Sequence, residues 1–368
     1  MQAAIIGFTD NGKKLAGLVK EKLEATGRCA CPKLGRDEGE SLTEWTRQAF
    51  SQAGLIIFIG AAGIAVRAIA PFVCDKFTDP AVLVLDEQGN YVIPLLSGHV
   101  GGGNAWAIYL AKAICAVPVV TTATDLYGKF AVDVFAVGQG LVLSDRVLAK
   151  AISAAILRGE PIGFSCEAPV VGTLPKDLVW NRKEEPEKPG CETPIPGVQK
   201  DCPVRYQISV GIHKDRKARD TLFLSPKAVV LGIGCKKGKT LAEIEAFAQK
   251  VLEEEGIAWE SICCLASVDR KANEAGILEF CRKQTIPFHT FTVEQLKHAP
   301  GDYTDSGFVE GIVGIGNVCE RAAMSAAIEL QRSVWDTKKE QIPRLIRQKT
   351  AENGITIALA ELAWNIRF

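Results

Sequence analysis

Short apolar runs alternate with amphipathic stretches along residues 1–127. A run of about five apolar residues between turn residues is typical of a buried strand, and apolar spacings of three and four indicate a helix. On this basis we predict strands over residues 3–8, 55–59, 81–85, 91–96 and 117–121, the third and fourth joined as a β-hairpin. Helices are predicted over residues 11–25, 63–72 and 103–115, and from the capping-box sequence Ser41–Glu44.

The pattern changes between residues 128 and 225. A helix is predicted over residues 144–158, followed by short extended pieces. Residues 181–205 contain five of the seventeen prolines and few large apolar side chains, which predicts a long loop or extended arm. The charged sequence HKDRKARD, residues 213–220, lies between two predicted strands and is interpreted as the tip of a solvated hairpin.

Strand and helix alternate again over residues 226–368. Strands are predicted over residues 228–233, 262–267, 288–291, 312–315 and 356–360. Helices are predicted over residues 273–282 and 317–330, and from capping boxes at Thr240–Glu243 and Thr292–Gln295.

The predicted fold class is therefore α/β, with two mainly parallel-sheet α/β domains and a smaller, loop-rich middle segment. We expect an N-terminal domain with a glycine-rich loop (1–127), a middle segment with a proline-rich arm (128–225) and a C-terminal domain (226–368).

Charge and composition exclude several classes of function. Lys and Arg number 43 and Asp and Glu number 43, which argues against a dedicated nucleic-acid-binding protein. The longest purely apolar runs span about five residues, whereas a membrane helix needs about 20, so no membrane partner is expected. The first residues, MQAAIIGFTD, lack the basic lead and apolar region of a signal peptide, and we expect a cytoplasmic protein.

Twelve cysteines raise the question of disulfides or a metal site. The sequence has no CxxC pair, its four histidines are scattered, and most cysteines lie in apolar stretches, where a thiol packs as a small hydrophobe. We therefore predict reduced thiols and no metal site in the protein.

A first candidate motif, Gly7–Lys14 (GFTDNGKK), follows a predicted strand and opens a predicted helix. A P-loop has the same setting, but it needs Ser or Thr after the lysine to bind Mg²⁺, and Lys14 stands there. A plain strand–turn–helix corner is therefore favoured over a nucleoside triphosphate site.

A second candidate is the sequence GIG, which occurs at Gly232–Gly234 and at Gly314–Gly316. The dinucleotide-binding pattern is incomplete, because the next glycine after Gly234 is Gly238, one residue late. Tight turns alone would explain these glycines. If the two segments are loops at strand ends, they present backbone N–H groups to carboxylates or phosphates. Cys235, Lys236 and Lys237 would stand at the lip of that crevice.

The densest candidate site lies within residues 60–104. Arg67 lies in an apolar turn, Lys76 and Asp79 flank a bend, and Ser97-Gly98-His99 runs into the glycines Gly101, Gly102 and Gly103 before a helix. Glycines at a helix N-terminus let a ligand approach the backbone, and free N–H groups attract anions. His99 is a candidate general base, with a satisfied structural histidine as the alternative. Ser97 is too close to His99 in sequence to define a catalytic triad without a structure.

Several of these segments resemble one known family. LIIFIGAAGIAVRAIAP, LLSGHVGGGNAWA and VVTTATD in the N-terminal part, with GIGCKKGKTLAEIE, SVDRKANEAGI and GIGNVCERAAM in the C-terminal part, are similar to the CbiG family, the cobalt-precorrin-5A hydrolases of anaerobic cobalamin biosynthesis. The similarity covers both ends well and the middle third loosely. The chain departs from the family at Ala105, where an acidic residue is expected directly after Asn104.

The resemblance implies hydrolysis of a δ-lactone on a cobalt tetrapyrrole, after which the C20 two-carbon branch leaves as acetaldehyde. Cobalt arrives within the substrate, so no cofactor of the protein is expected. On this interpretation His99 is the base, Ser97 is a second catalytic candidate, and backbone N–H groups of Gly101–Gly103 stabilise the oxyanion. The expected substrate-binding residues are Arg67, Lys76, Asp79, Gly101, Gly102, Gly103, Asn104, Gly234, Cys235, Lys271 and Gly316.

Two other classes of function stay open at this point. A non-catalytic carrier of corrinoid intermediates would bind the tetrapyrrole and release no aldehyde. A nucleotide-dependent enzyme is the weaker alternative, because the GKK and GIG motifs are incomplete. The sequence does not decide whether the chain forms a homodimer or makes transient contact with neighbouring enzymes of the pathway.

Overall fold

The structure is a computed structural model that describes residues 1–75, 77–181, 204–215, 218–303, 316–334 and 342–368. The chain divides into two units, Met1–Val134 and Phe135–Phe368. The division of the sequence into three parts stays a prediction. The predicted strand at 312–315, and the predicted arm except for its ends, lie outside the described residues.

The first unit alternates strands and helices as its sequence predicts. Its strands are β1 (Gln2–Gly7), β2 (Ala30–Leu34), β3 (Leu55–Ile59), β4 (Ala81–Leu85), β5 (Tyr91–Leu96) and β6 (Val117–Pro118). Its helices are α1 (Asp10–Glu24), α2 (Leu42–Gln52), α3 (Ala62–Ile69), α4 (Gly103–Ile114) and α5 (Ala123–Leu126). The apolar pattern missed two elements, the short helix α5 and strand β2, in which only Cys31 of five residues is buried.

The six strands form one sheet in the order β2-β1-β3-β4-β5-β6. Strands β2, β1, β3 and β4 are parallel, β5 is antiparallel to β4, and β6 is parallel to β5. Helices α1 and α4 pack on one face of the sheet, and α2 and α3 pack on the other. Strands β3 and β4 are therefore buried on both sides, which explains their uninterrupted apolar sequences.

The middle part of the chain is more regular than predicted. Helix α6 (Val132–Gly138) is followed by β7 (Leu141–Leu143), α7 (Arg146–Leu157), β8 (Ile162–Cys166), β9 (Val170–Val171), β10 (Leu178–Trp180), β11 (Gln207–Val210) and β12 (Thr221–Pro226). Five of these strands form a sheet in the order β10-β8-β11-β12-β7, parallel except for β7.

The hairpin predicted around residues 213–220 is wrong. Strands β11 and β12 are parallel, with Gln207 opposite Thr221 and Val210 opposite Leu224. Parallel neighbours require a crossover, because the chain has to return to the starting edge of the sheet. The connection leaves the sheet, and its residue His213 forms a β-bridge with Ile257 before the chain returns.

The C-terminal part has a third, mainly parallel sheet. Its elements are β13 (Val229–Cys235), α8 (Leu241–Glu254), β14 (Ile262–Val268), α9 (Ala275–Gln284), β15 (Phe288–Phe291), α10 (Val293–Lys297), α11 (Cys319–Val334), β16 (Arg344–Glu352) and β17 (Ile355–Glu361). The strand order is β15-β14-β13-β17-β16. Strands β15, β14 and β13 are parallel, β17 is antiparallel to β13, and β16 is antiparallel to β17. The capping boxes at Thr240 and Thr292 are both confirmed.

A last short strand, β18 (Ile366–Arg367), pairs with β9 within the second unit. Next to it, the Phe368 ring stacks on Phe135, with ring centroids 4.9 Å apart and planes 11° apart. The α/β class predicted from the sequence is confirmed by the three sheets. None of the described helices has the length and apolarity needed to cross a bilayer.

Candidate active site

The glycine-rich loop after β5 is a tight turn that is stabilised by backbone hydrogen bonds between its own residues. Gly103 N–H donates to Ser97 O at 3.2 Å, and Asn104 N–H donates to Gly98 O at 2.7 Å. Ser97 and Gly102 have left-handed backbones, with φ of 48° and 76°. A Cβ at Gly101 would lie 2.5 Å from Ser97 Cβ, so this position has no room for a side chain.

His99 lies in this loop between groups from two segments that follow β6. Strands β5 and β6 are parallel neighbours, so their carboxyl ends meet at one edge of the sheet. His99 Nδ1 is 3.2 Å from Asp133 Oδ1, and His99 Nε2 is 3.0 Å from Thr124 Oγ1. Asp125 Oδ2 is 3.9 Å from the same Nε2. The imidazole therefore has a carboxylate near each ring nitrogen.

Asn104 is hydrogen-bonded to this cluster through its side-chain amide. Its buried amide nitrogen donates to Thr122 Oγ1 at 2.9 Å and to Asp125 Oδ2 at 2.6 Å. An amide group has two N–H donors, so both are used within the protein. The side chain thereby fixes the Asp125 carboxylate beside His99, and the predicted contact of Asn104 with substrate stays a prediction.

The oxyanion role predicted for the N–H groups of all three glycines needs correction, because two of these N–H groups are already hydrogen-bonded within the loop. Gly102 N–H donates to His99 O at 3.2 Å, and Gly103 N–H is used within the turn. Only Gly101 of the three has an N–H without an acceptor in the described chain. Ser97 Oγ is buried and has no hydrogen-bond partner among the described residues. The structure therefore does not form a Ser97–His99 dyad.

Two other predicted residues of this region, Asp79 and Arg67, lie near the same end of the sheet. Leu96 pairs with Val82, so the loop after β5 lies where β4 begins, beside the segment that precedes β4. In that segment Asp79 Oδ2 accepts from Cys74 N–H at 2.9 Å and closes a turn. Arg67 is exposed in the last turn of α3, and its Nη1 donates to Gly63 O at 3.2 Å. Lys76 lies outside the described residues.

A separate cavity in the second unit lies at the carboxyl ends of the parallel strands β13 and β14. Its volume is about 450 Å³, within the usual range of about 300–1,000 Å³ for small-molecule sites. Its walls are partly apolar, from Val268, Val318 and Ile355. None of the described lining residues is acidic, and five are cationic: Lys236, Lys237, Arg270, Lys271 and Lys349.

The structure brings most of the predicted C-terminal residues together at this cavity. Gly234, Cys235 and Lys271 all line it. Burial raises the pKa of the Cys235 thiol, so this side chain adds no negative charge to the cationic lining near neutral pH. Lys271 Nζ donates to Glu274 Oε2 at 2.9 Å. The Gly238 N–H group and then Lys271 lower the pKa of the Glu274 carboxyl.

The first GIG sequence is part of strand β13 and does not form a loop, which corrects the prediction. A Cβ at Gly232 would lie 2.0 Å from Cys319 O, so this glycine allows α11 to pack on the strand. A Cβ at Gly234 would lie 2.6 Å from Thr356 Oγ1 of the neighbouring strand. Gly316 is buried before α11 and does not line the cavity, whereas Val318 and Cys319 of the same segment do. Gly314 lies outside the described residues.

Sequence reasoning missed several residues of both sites. Thr124, Asp125 and Asp133 follow β6, and the polar run after a predicted strand was the signal that would have indicated them. Arg270 stands beside the predicted Lys271. Lys349 comes from β16, a half-buried strand without a clear apolar pattern, and nothing local indicated its place.

The fold and these two sites define a class of protein. It is an α/β protein with a histidine–carboxylate cluster in one unit and a cationic cavity in the other, each at the carboxyl ends of parallel strands. Three family models match along the chain: Cobalamin synthesis G N-terminal at residues 44–125, Cobalamin biosynthesis central region at 130–226, and Cobalamin synthesis G C-terminus at 229–360. The chain belongs to the cobalamin synthesis G (CbiG) family.

Similar proteins extend over nearly the whole chain. The cobalt-precorrin-5A hydrolase of Salmonella typhimurium is 32% identical, covering 97% of this chain and 96% of the relative. The cobalt-precorrin-5A hydrolase of Priestia megaterium is 33% identical over 84% of this chain and 79% of the relative. A crystal structure of a cobalamin biosynthesis protein G homolog from Sulfolobus solfataricus covers 98% of this chain and 97% of its own at 22% identity and a TM-score of 0.41.

Proposed function

We propose that this protein is a cobalt-precorrin-5A hydrolase, which opens the δ-lactone of its cobalt tetrapyrrole substrate and releases the C20 two-carbon unit as acetaldehyde. The observation that carries the proposal is the 32% identity to the Salmonella typhimurium enzyme, over 97% of this chain and 96% of that one. The His99 cluster supports it, because the chemistry needs a general base and the geometry provides one.

The first step is hydrolysis of the lactone, with His99 as the base. The imidazole removes a proton from water, the resulting hydroxide bonds to the carbonyl carbon, and the acyl C–O bond breaks. The released alkoxide takes a proton, so the products are the ring A acetate and a free hydroxyl on the two-carbon branch. Of the three glycines predicted to stabilise the oxyanion, Gly101 is the one whose N–H group has no acceptor among the described residues and is left for that role.

The second step breaks a carbon–carbon bond and needs the same kind of base. Removal of the proton from the freed hydroxyl lets its oxygen form the aldehyde C=O. At the same time the carbon–carbon bond that joins the C20 two-carbon unit to the macrocycle breaks. The electron pair of that bond passes to the macrocycle, and acetaldehyde leaves. One histidine serves both steps, since it returns its proton between them.

The cationic cavity supports the same substrate class. Lysine and arginine side chains bind carboxylates, and the substrate is fringed with acetate and propionate groups. We propose that this cavity takes a carboxylate-bearing part of the tetrapyrrole, with Lys236, Lys237 and Lys349 as ligands of the acidic groups. The apolar walls at Val268, Val318 and Ile355 suit the adjoining hydrocarbon. We also propose that the enzyme uses no resident cofactor and works in the cytoplasm.

An anaerobic incubation with cobalt-precorrin-5A tests the proposal. Acetaldehyde is trapped and quantified, and the mass of the tetrapyrrole is measured by mass spectrometry. We expect one acetaldehyde per substrate and the matching change in mass. Tight binding with an unchanged substrate mass would instead indicate the carrier function, and absence of both binding and turnover would refute the proposal.

The role of His99 is tested with a matched pair of histidine variants. His99→Ala should lower the rate of acetaldehyde release by about 100-fold or more, the usual contribution of a general base. His298→Ala, at an exposed histidine of the second unit, should leave the rate unchanged. Wild-type turnover in folded His99→Ala would remove His99 from the mechanism.

A further inference from the structure

The contact between His99 Nδ1 and Asp133 is a polar contact of the candidate active site that the mechanism above does not use. Asp133 Oδ1 lies 3.2 Å from His99 Nδ1, and the two side chains are 13% and 19% exposed. The same Oδ1 accepts from Val134 N–H at 3.0 Å at the start of α6, which fixes the carboxylate on the backbone. A partly buried pair of this kind is screened weakly by water.

The other ring nitrogen has different neighbours. Thr124 Oγ1 is 3.0 Å from Nε2, and Asp125 Oδ2 is 3.9 Å from it, held there by Asn104. Asp125 from α5 and Asp133 from α6 are the titratable groups that the described chain places against the imidazole. An ionised carboxylate only accepts hydrogen bonds, so Asp133 Oδ1 at 3.2 Å from Nδ1 favours the tautomer with the proton on that nitrogen.

We propose that Asp133 is a positioning residue that holds the proton of neutral His99 on Nδ1 and leaves the Nε2 lone pair to act as the base. This inference rests on the proposed function and adds a residue that neither the sequence motifs nor the family resemblance indicated. It also explains why one histidine serves two proton transfers, because the carboxylate stabilises the imidazolium that forms in each. Asp133 itself touches neither substrate nor water in this scheme.

Asp133→Asn is the decisive variant, because it removes the charge and keeps a side-chain oxygen that can still accept from the Val134 N–H group. We expect kcat for acetaldehyde release to fall by about 100-fold or more, with KM changed by less than about twofold, because the fixed tautomer is lost. The acidic limb of the kcat–pH profile should move to lower pH, since the imidazolium loses a neighbouring negative charge. Asp133→Glu should recover part of the rate.

The matched control is Asp145→Asn. Asp145 is the N-cap residue of α7, where its Oδ1 accepts from Val147 and Leu148 N–H groups, and no histidine of the described chain is paired with it. This variant should keep the wild-type kcat and pH profile. Asp133→Ser, a second neutral polar variant, replaces Asp133→Asn if the latter does not fold.

The outcomes separate this inference from the proposed function. If the wild-type protein releases no acetaldehyde, the function is wrong and the role of Asp133 falls with it. If the wild type is active and His99→Ala is not, a wild-type kcat and an unmoved acidic limb in Asp133→Asn would overturn the positioning role alone.

Discussion

Gly101→Ala tests whether the tight loop after β5 is what places His99. The added Cβ would lie 2.5 Å from Ser97 Cβ and 2.7 Å from Ser97 O. Carbon atoms in contact normally lie about 3.5–4.0 Å apart, so the loop has to open by about 1 Å. His99 lies between these two positions in the chain and moves with them. A shift of about 1 Å in a reacting group costs about 100-fold in rate, and overpacking of this kind costs about 1–3 kcal/mol of stability.

Gly102→Ala is the neighbouring control, because it separates backbone strain from steric clash. A Cβ at Gly102 meets no atom within 4 Å, but φ is 76°. The cost is therefore about 1 kcal/mol of stability from the left-handed backbone, with little displacement of His99. We expect Gly102→Ala to melt at a lower temperature than the wild type and to keep most of its rate of acetaldehyde release.

The assay pairs the initial rate of acetaldehyde release with thermal melting followed by circular dichroism. Gly101→Ala should lose about 100-fold in kcat under conditions where the melting curve shows it fully folded. The reasoning is refuted if folded Gly101→Ala keeps the wild-type rate, or if Gly102→Ala loses more activity than Gly101→Ala does.

Two further predictions concern the second unit. Lys349→Met should raise KM for the tetrapyrrole by about tenfold with kcat unchanged, because one charge-assisted hydrogen bond to a carboxylate is lost. Lys349→Arg keeps the charge, so its KM should stay near the wild-type value. Equal KM values in the wild type and both variants would exclude Lys349 from substrate binding. The hydrogen bond to Glu167 raises the pKa of His213 in the folded state above the usual histidine value of about 6.5. Protonated His213 therefore stabilises the folded state fully below the usual pKa, and this stabilisation is lost as the pH rises through the raised pKa. The melting temperature of the wild type should therefore fall more between pH 6 and pH 8 than that of His213→Gln, and parallel curves would contradict this.

Local features of the fold followed from the sequence. The apolar runs of β3 and β4 and the capping boxes at Thr240 and Thr292 each act within a few residues, so their patterns were sufficient. The pairing of strands was harder to predict. Strands β11 and β12 looked like two arms of a hairpin, but their parallel register depends on contacts with β8 and on the crossover at His213.

The same distinction holds for the candidate site. His99 was identified because glycines surround it in the sequence. Its partners Thr124 and Asp133 were missed because they lie 25 and 34 residues later and meet it only through the parallel pairing of β5 and β6. Gly232 illustrates the opposite error, since a glycine that seemed to serve a ligand instead makes room for a helix.

The pairing of β18 with β9 has a consequence for the order in which the protein folds during synthesis. Phe368 leaves the ribosome long after Phe135, yet the two rings stack on each other. The unit Met1–Val134 contains all six strands of its own sheet and is ready to fold while translation continues. The second unit cannot complete its fold until residues 366–368 have been synthesised. Before then Phe135 and Phe164 lack their ring contacts with Phe368, and β9 lacks its partner strand β18. Translation that stalls before this point therefore leaves a nascent chain with one finished unit and one aggregation-prone unit.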